Sequence, residues 1–374
     1  MKSRSPWFAW LAAASFIFGF ALHNALARQK TEFKTENGVV IVSNPKKPAP
    51  KPGGPSQLLL KEDLVIGREA PAGEYLFAQL RAAGVDARES IWTLDPKDLK
   101  VRVFDKMGKL ISTFGRKGQG PGEWESPNRM TILPEGTGVI LDANKITFYS
   151  LEGKCVKEIS TAKTNMTRFK IDSKGTIYGD RMDFGERIMY RLVKFDQSLT
   201  PVATLADIEE PIKPGAYSPF PIFIFFHVTG DDRLIWMSNA TYAFHVLSPA
   251  GNPLKTITKD YEAVRITAED RKTILEGFKD NPSYQKMIVF PAVYPPAYYF
   301  VGDEEGRLFA QTYEKDDKGW LLFDAFDTDG RCVARFSLPK EESIFAVRKN
   351  KLYVMIQEDA EGRPLVKRYA MEWK

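Results

Sequence analysis

The sequence predicts an all-β protein, a six-bladed β-propeller that is closed by a strand from its own N-terminal region. Three observations support this prediction. Short β-rich runs alternate with Gly, Asp and Asn turns, a four-strand pattern recurs along the chain, and its last copy ends before a fourth strand can form. A period of about 40–50 residues is typical of propeller blades. The composition, with 43% apolar and 27% charged residues, is that of a globular protein.

The first residues predict an export signal. Lys2 and Arg4 precede an apolar run over residues 7–22, and Ala25-Leu26-Ala27 places small residues at both positions of a cleavage pocket. We predict a signal peptide over residues 1–27 and a periplasmic or extracellular product. An uncleaved anchor is the alternative, but about 16 apolar residues are fewer than the ~20 that span a bilayer.

A short extension, residues 28–57, precedes the propeller at 58–374. Residues 31–36 and 39–43 flank Asn37-Gly38, a pair that favours a tight hairpin turn. Residues 44–55 hold prolines at five positions, which cannot pair in a sheet, so we expect an extended tether there.

The extent of each predicted blade is inferred from equivalent positions in the third strand of each copy. These positions recur at the interval of a blade, except for one longer step between Leu247 and Phe326, which predicts an insertion over residues 258–300. Thr267 as N-cap and Glu269-Asp270 in the first turn predict a helix over 267–279 within it. The third-strand positions are Phe104, Tyr149, Phe195, Leu247, Phe326 and Tyr369.

The sixth copy ends shortly after Tyr369, so its fourth strand must come from elsewhere. Residues 58–66 are β-rich, and Ile66-Gly67-Arg68 repeats the step Phe114-Gly115-Arg116 that ends the first blade. We therefore predict that residues 58–66 complete the sixth blade and remove its open edge.

The junction after the first blade carries a family resemblance. Residues 114–124 read Phe-Gly-Arg-Lys-Gly-Gln-Gly-Pro-Gly-Glu-Trp and are followed by Pro127, which resembles the junction of NHL-type repeats. From about residue 38 onward, the chain resembles the exported bacterial 6-bladed β-propeller family, an NHL-repeat-like and TolB-like group. The resemblance implies the fold and leaves the activity open, because related propellers include lyases, lactonases and binding platforms.

The same junction is a candidate anion site. Its backbone N–H groups, with Arg116 and Lys117, could face a phosphate or carboxylate. We favour a simple blade connection, because a reduced version recurs at residues 67–75. Aromatic runs at 219–226 and 291–300 could form a binding patch, although most such residues pack inserted segments. The remaining candidate ligand-binding residues are Arg129, His227, Trp236 and Tyr294.

Catalytic and metal signals are weak. His227 and His245 follow the predicted signal without ligand spacing, which disfavours a zinc lyase, and no Gly-x-Ser-x-Gly motif occurs. We predict no catalytic residue and no cofactor. Calcium at Asp142, Asn144 and Asn239 is the alternative to their use as turn formers.

The two cysteines test the arrangement of the blades. Cys155 and Cys332 begin the fourth strands of blades 2 and 5, on opposite sides of the ring. Since a disulfide requires Cα atoms about 6 Å apart, we predict two separate thiols.

The predicted function is a non-catalytic exported module that binds a protein, peptide or glycan partner through one face of a monomeric ring and the insertion. A metal-dependent lactonase-like hydrolase or lyase, with its site in the central channel, is the alternative. A structural role in a cell-envelope assembly is a third possibility. The net charge of +5 comes from basic residues scattered among acids, which argues against nucleic-acid binding.

Overall fold

The computed structural model describes residues 30–68, 75–211 and 215–374. The predicted signal peptide and residues 69–74, part of the reduced junction at 67–75, lie outside the described residues. Six sheets form six blades. The inner strand of each blade contacts that of the next, and the last contacts the first, so the ring is closed as predicted. None of the helices in the described part of the chain is long and apolar enough to cross a membrane.

The first three blades each consist of four antiparallel strands that follow in chain order from the channel outward. Blade 1 contains β4 (Ala82–Val85), β5 (Ile91–Asp95), β6 (Lys100–Phe104) and β7 (Leu110–Phe114). Blade 2 contains β8 (Arg129–Ile132), β9 (Gly138–Leu141), β10 (Lys145–Tyr149) and β11 (Cys155–Ser160). Blade 3 contains β12 (Met166–Ile171), β13 (Ile177–Asp183), β14 (Met189–Phe195) and β15 (Pro201–Glu209).

The other three blades include the insertion and both junctions with the N-terminal region. Blade 4 contains β16 (Ile224–Val228), β17 (Leu234–Ser238), β18 (Ala243–Leu247) and β19 (Pro253–Lys259), followed by helices α1 (Ala268–Glu276) and α2 (Pro282–Met287). Blade 5 contains β20 (Tyr299–Gly302), β21 (Leu308–Lys315), β22 (Leu321–Phe326) and β23 (Cys332–Leu338). Blade 6 contains β24 (Glu342–Arg348), β25 (Lys351–Ile356), β26 (Leu365–Trp373) and β3 (Leu58–Ile66).

Strand β3 completes blade 6, which confirms the predicted closure. It pairs antiparallel with β26, from Val366 opposite Ile66 to Trp373 opposite Leu58. Leu58 and Ile66 are buried at the two ends of the strand. The pairing satisfies the backbone groups of β26 that would otherwise form an open edge.

The N-terminal hairpin has a place in the ring that the sequence did not predict. Strands β1 (Glu32–Glu36) and β2 (Val39–Asn44) flank Asn37 and Gly38, whose φ angles of 50° and 80° give the predicted turn. Strand β2 then pairs parallel with β19, the outer strand of blade 4. Blade 4 thus becomes a six-stranded sheet.

Residues 45–57, here called the strap, connect that hairpin to β3 and form no strand. They lie against the edge of blade 5, where Ala49 N donates to Cys332 O (2.8 Å). The amide of Asn44 donates to Gly330 O (2.8 Å) and accepts from Cys332 N (2.8 Å). The predicted tether is therefore held along blade 5, and the N-terminal region links blades 4, 5 and 6.

The two thiols are separate, as predicted. Cys155 is partly exposed at the start of β11, and Cys332 is buried at the start of β23. Cys332 packs with Phe244 and Phe326 in the core between blades 4 and 5. Its thiol behaves there as a small apolar group.

Candidate functional site

The two ends of the ring carry different loops. We call the end at which inner strands begin the upper face and the end at which they finish the lower face. Because successive strands of a blade are antiparallel, connections between blades lie on the upper face. Two of these connections, residues 210–223 and 260–298, lead into the neighbouring inner strands β16 and β20.

These two connections join to form a cap on the upper face. Tyr217 forms an isolated bridge with Ile288. Its N–H donates to Met287 O (2.9 Å), and its carbonyl accepts from Val289 N (2.8 Å). Its ring meets that of Phe278 edge to face, with 5.7 Å between centroids. The cap is thus one unit, built from the described parts of both connections.

The helices of the cap lie on its surface. Helix α1 begins at the predicted N-cap, where Thr267 Oγ1 accepts from Asp270 N (3.1 Å) and Asp270 Oδ2 accepts from Thr267 N (2.8 Å). This reciprocal pair is a capping box. Neither α1 nor α2, a helix that the sequence did not predict, contains a buried residue. The helices therefore add surface to the upper face and little core.

A row of aromatic rings leads from the cap to blade 5. Tyr294 stacks on Tyr313 with 4.5 Å between centroids, and Phe220 meets Tyr294 edge to face at 4.9 Å. Tyr298 meets Tyr313 at 5.9 Å and is 48% exposed. Burial and the carboxylate of Asp270 raise the pKa of Tyr294 to about 12. Its hydroxyl is therefore a neutral hydrogen-bonding group at neutral pH.

On the inner strand of blade 3, Arg168 contacts aromatic residues at the start of blade 4. Its Nε donates to Asp180 Oδ2 (2.7 Å). Its guanidinium is 5.3 Å from the ring centre of Phe223 and 4.9 Å from that of Phe225. Both contacts are within the range of cation–π attraction. Arg168 is thus fixed in place by its neighbours.

Two further arginines, on blades 1 and 2, are not fixed in this way. Arg129 begins β8, and its side chain donates to Asn128 O (2.9 Å). Burial lowers the pKa of Arg129, and the charges of Arg81 and Arg168 lower it further. Arg81 precedes β4 and is exposed. Within the described ranges, neither Arg81 nor Arg129 forms an ion pair, so the upper mouth carries unpaired positive charge.

The candidate anion site at Arg116 and Lys117 also lies on the upper face, in the connection between blades 1 and 2. There Arg116 Nε lies 2.8 Å from Glu123 Oε1, and Gly120 N donates to Glu123 Oε2 (2.9 Å). A Cβ atom on Gly118 would lie 1.9 Å from the same carboxylate. The carboxylate of Glu123 thus occupies the loop, while Lys117 is exposed beside it. Ligand contact at Arg116 and Lys117 stays a prediction.

Trp236 lies apart from both faces, within the second strand of blade 4. Its ring stacks on that of His245, with 4.3 Å between centroids. It packs with the cluster between blades 3 and 4, beside Phe226. The structure therefore does not bring Trp236 together with Arg129 or Tyr294.

The last candidate, His227, lines a cavity in the lower half of the channel. The cavity has a volume of about 220 Å³ and is bounded by all six inner strands. His227 Nε2 lies 3.0 Å from Asp303 O, and its ring packs on Gly302, where a Cβ atom would lie 2.5 Å away. Burial lowers the pKa of His227 to about 4, and the charges of Lys170 and Arg348 contribute.

This shift predicts a pH dependence of stability. The pKa of His227 is 6.5 unperturbed and about 4 in the fold, so the unfolded chain binds more protons between these values. Stability should therefore fall as the pH falls from 6.5 to 4. The contribution is at most about 3 kcal/mol, at 1.36 kcal/mol per pKa unit, since the cavity leaves part of the ring wet.

The variant His227→Gln should lose this contribution. Urea unfolding of both proteins at pH 7 and pH 4.5 measures it, because acid-sensitive carboxylates affect both proteins equally. An identical loss of stability in the two proteins would show that His227 does not titrate in this window.

Two of the three residues proposed for calcium, Asp142 and Asn239, take part in a repeated structural feature. Asp142 Oδ2 accepts from Glu125 N (3.0 Å), and its Oδ1 accepts from Ser126 N (2.6 Å). Asn239 Oδ1 likewise accepts from Phe223 N (2.7 Å). Such side chains follow the second strand of a blade and hold the connection that enters its inner strand. Among the described residues no group of three or more His, Cys, Asp or Glu could hold a metal, and calcium stays an untested prediction.

Comparisons with known proteins agree with this architecture. Residues 85–220 match a family described as a 6-bladed beta-propeller. A Bacteroides fragilis protein whose name describes it as exported has a similar structure, with 12% identity, 89% of this chain and 99% of that chain covered, and a TM-score of 0.57. A member of the DUF4221 family from Bacteroides vulgatus has 9% identity, with 85% of this chain and 99% of that chain covered, and a TM-score of 0.50.

The chain is a six-bladed β-propeller. Its predicted resemblance to a bacterial 6-bladed propeller family is confirmed. A virginiamycin B lyase from Staphylococcus aureus is more distant, with 11% identity, 84% and 99% of the two chains covered, and a TM-score of 0.43, too low to bear on activity. No curated protein matches the chain in sequence.

Proposed function

We propose that this propeller is an exported, non-catalytic binding module that holds an acidic segment of a partner protein or peptide on its upper face. The observation that carries the proposal is that the upper face carries both a cap with exposed aromatic side chains and two arginines without ion-pair partners among the described residues, Arg81 and Arg129. Arginine and aromatic residues are the side chains most often found at the energetic centres of protein interfaces.

The charge at the mouth indicates the sign of the partner. The guanidinium groups of Arg81 and Arg168 lie close enough to Arg129 that their charges lower its pKa. Asp180 pairs with Arg168 and also raises the pKa of Arg129, but neither Arg81 nor Arg129 forms an ion pair of its own among the described residues. A carboxylate placed between Arg81 and Arg129 would relieve their mutual repulsion and accept bidentate hydrogen bonds.

The apolar surface of the cap favours a polypeptide over a glycan. Aliphatic side chains are exposed beside the aromatic rings, and they offer no hydrogen bond to a hydroxylated ligand. They suit the apolar side chains that accompany acidic residues in a peptide. The exposed side chains of the cap include Tyr284, Met287, Val289, Val293 and Tyr298.

Export is supported by the sequence and by one relative. The predicted signal over residues 1–27 would direct the chain out of the cytoplasm. The similar Bacteroides fragilis protein is also named as exported. The partner should therefore be a periplasmic, envelope or extracellular protein.

The test compares two variants with the same loss of charge. The double variant Arg81→Gln/Arg129→Gln should bind fluorescein-labelled peptides rich in Asp, Glu and Leu at least about tenfold more weakly than the wild type. This follows because each charge-assisted hydrogen bond contributes about 1.5–3 kcal/mol. Fluorescence anisotropy gives the dissociation constants.

The matched control is Lys109→Gln/Lys154→Gln, which removes two exposed charges from turns on the lower face. It should bind the acidic peptides as the wild type does. Lysine-rich peptides should not bind any of the three proteins. Equal affinity of the two double variants would contradict the proposal, and unchanged thermal unfolding would show that the ring is intact.

A further inference from the structure

The geometry points to a second binding site, in the lower half of the channel, for a small organic acid whose carboxylate is held by the ammonium group of Lys170. This site goes beyond the proposed function. It lies in a channel cavity on the lower side of the ring, and its ligand is a small molecule instead of a polypeptide.

Lys170 lies on the inner strand β12, two residues after Arg168. Side chains two residues apart on a strand share one face, so both are directed from the inner strand of blade 3 toward the channel. Lys170 lines the cavity of about 220 Å³. Among the described residues, its Nζ has neither a hydrogen-bond partner nor an ion-pair partner. Removing an ammonium group from bulk water without a partner is costly, which makes an anion a favourable occupant.

A second basic side chain, Arg348, lines the same cavity as Lys170. Burial alone lowers the pKa of Lys170, with no carboxylate acting on it. The charges of Lys170 and Arg348 both lower the pKa of His227, so the three side chains share one region of the cavity. Arg348 Nη1 donates to Val85 O (3.2 Å) and forms no ion pair within the described residues. An anion there would interact with two cations.

The carboxylates that line the cavity are engaged elsewhere. Asp172 Oδ1 accepts from the backbone of its own turn, and Asp232 accepts from both N and Oγ of Ser173. Glu304 Oε1 accepts from Lys349 N (3.0 Å), whereas its Oε2 is buried without a hydrogen-bond partner among the described residues. These three side chains hold the turns at the lower rim, and they leave Lys170 uncompensated.

The rest of the lining indicates an organic ligand. Aliphatic and aromatic side chains alternate with a few hydroxyl groups, which suits a carboxylate on an apolar body better than a fully hydrated inorganic ion. The volume corresponds to about seven waters at ~30 Å³ each, which limits the ligand to a small molecule. The apolar lining includes Ile132, Ile171, Phe226, Val228, Val301 and Val347.

The experiment uses benzoate, hexanoate and inorganic phosphate as probes of the purified protein, by isothermal titration calorimetry at pH 7. Benzoate or hexanoate should bind the wild type with a stoichiometry of one. Lys170→Met should weaken that binding at least tenfold, and Lys170→Arg should retain most of it. Lys154→Met, a lysine variant on the exposed lower face, should bind as the wild type does.

Two further readouts separate this site from a structural role for Lys170 and from the upper face. Without ligand, Lys170→Met should unfold at a higher temperature than the wild type, because an unpaired charge has been removed. It should also bind the acidic peptides of the upper face normally, so the two proposals can fail independently. Absence of binding by both organic acids, equal binding by Lys170→Met, or tighter binding of phosphate would overturn the inference.

Discussion

A chain that begins at Tyr75 should lose at least about 5 kcal/mol of its free energy of unfolding relative to one that begins at Lys30. It lacks β3, so β26 presents an open row of backbone donors and acceptors. It also loses buried apolar side chains such as Leu58 and Ile66, each of which contributes about 1.5–3 kcal/mol. Since natural domains have about 5–15 kcal/mol in total, this chain should be unfolded or close to it.

An intermediate truncation separates the contributions of the strand and the strap. A chain that begins at Ser56 keeps β3 but lacks the hairpin on blade 4 and residues 45–55 of the strap on blade 5. Its stability in urea should lie between those of the other two chains. A synthetic peptide of residues 56–68 should restore the stability of the chain that begins at Tyr75, because a ligand that binds the folded state stabilises it. Equal stability of all three chains would contradict a ring closed by β3.

The sequence revealed this closure because a local pattern was incomplete. The copy that ends near Tyr369 lacks a fourth strand, and the step at Ile66-Gly67-Arg68 identifies a strand without a partner. The pairing of the N-terminal hairpin with blade 4 could not be predicted, because no local pattern specifies it. The parallel pairing of β2 with β19 joins segments more than two hundred residues apart, and no turn fixes their register. The apolar run of β2 was its one visible sign.

The insertion shows where composition misleads. The aromatic runs at 219–226 and 291–300 each end in an inner strand, β16 or β20, so part of each predicted patch is propeller core. Ile224 and Phe300 are buried there, whereas Tyr298 is exposed. Composition alone does not separate the two environments. The bridge between Tyr217 and Ile288, which unites the cap, depends on tertiary structure.

The candidate site was predicted in part. Arg129 and Tyr294 lie on the upper face and His227 lines the cavity, but Arg81 and Lys170 were missed. What distinguishes Lys170 is the lack of a partner, and that property depends on every neighbouring blade. A signal was nevertheless present, because Arg168 and Lys170 alternate with Phe169 along an inner strand, and this period places polar side chains toward the channel.

Asp324→Ala should be among the most damaging single substitutions in the described part of the chain. Asp324 Oδ2 accepts from the hydroxyl of Tyr242 (2.6 Å) and lies 3.3 Å from Nζ of Lys259. Its Oδ1 accepts from Arg335 Nε (2.8 Å). The side chains of Asp324 and Lys259 are both fully buried. Removal of the carboxylate leaves Lys259 as a buried charge without its counter-ion, a change that costs about 3–5 kcal/mol.

Urea unfolding at pH 7 measures this loss, and Glu209→Ala provides the control. Glu209 pairs with Arg187 on the surface, so its removal should cost about 1 kcal/mol or less. A loss of that size for Asp324→Ala would show that the buried pair does not stabilise the fold.

The strap should determine how severe the Asp324 substitution is. Nζ of Lys259 donates to Lys46 O (2.7 Å), so the strap covers the ammonium group and keeps water from it. In the chain that begins at Ser56, this cover is absent and water can solvate Lys259. Asp324→Ala should therefore cost less in that chain than in the one that begins at Lys30. The difference between the two costs should be about 0.5–3 kcal/mol, the coupling energy that double-mutant cycles find for contacting groups. Equal costs in the two chains would mean that the strap does not shield the pair.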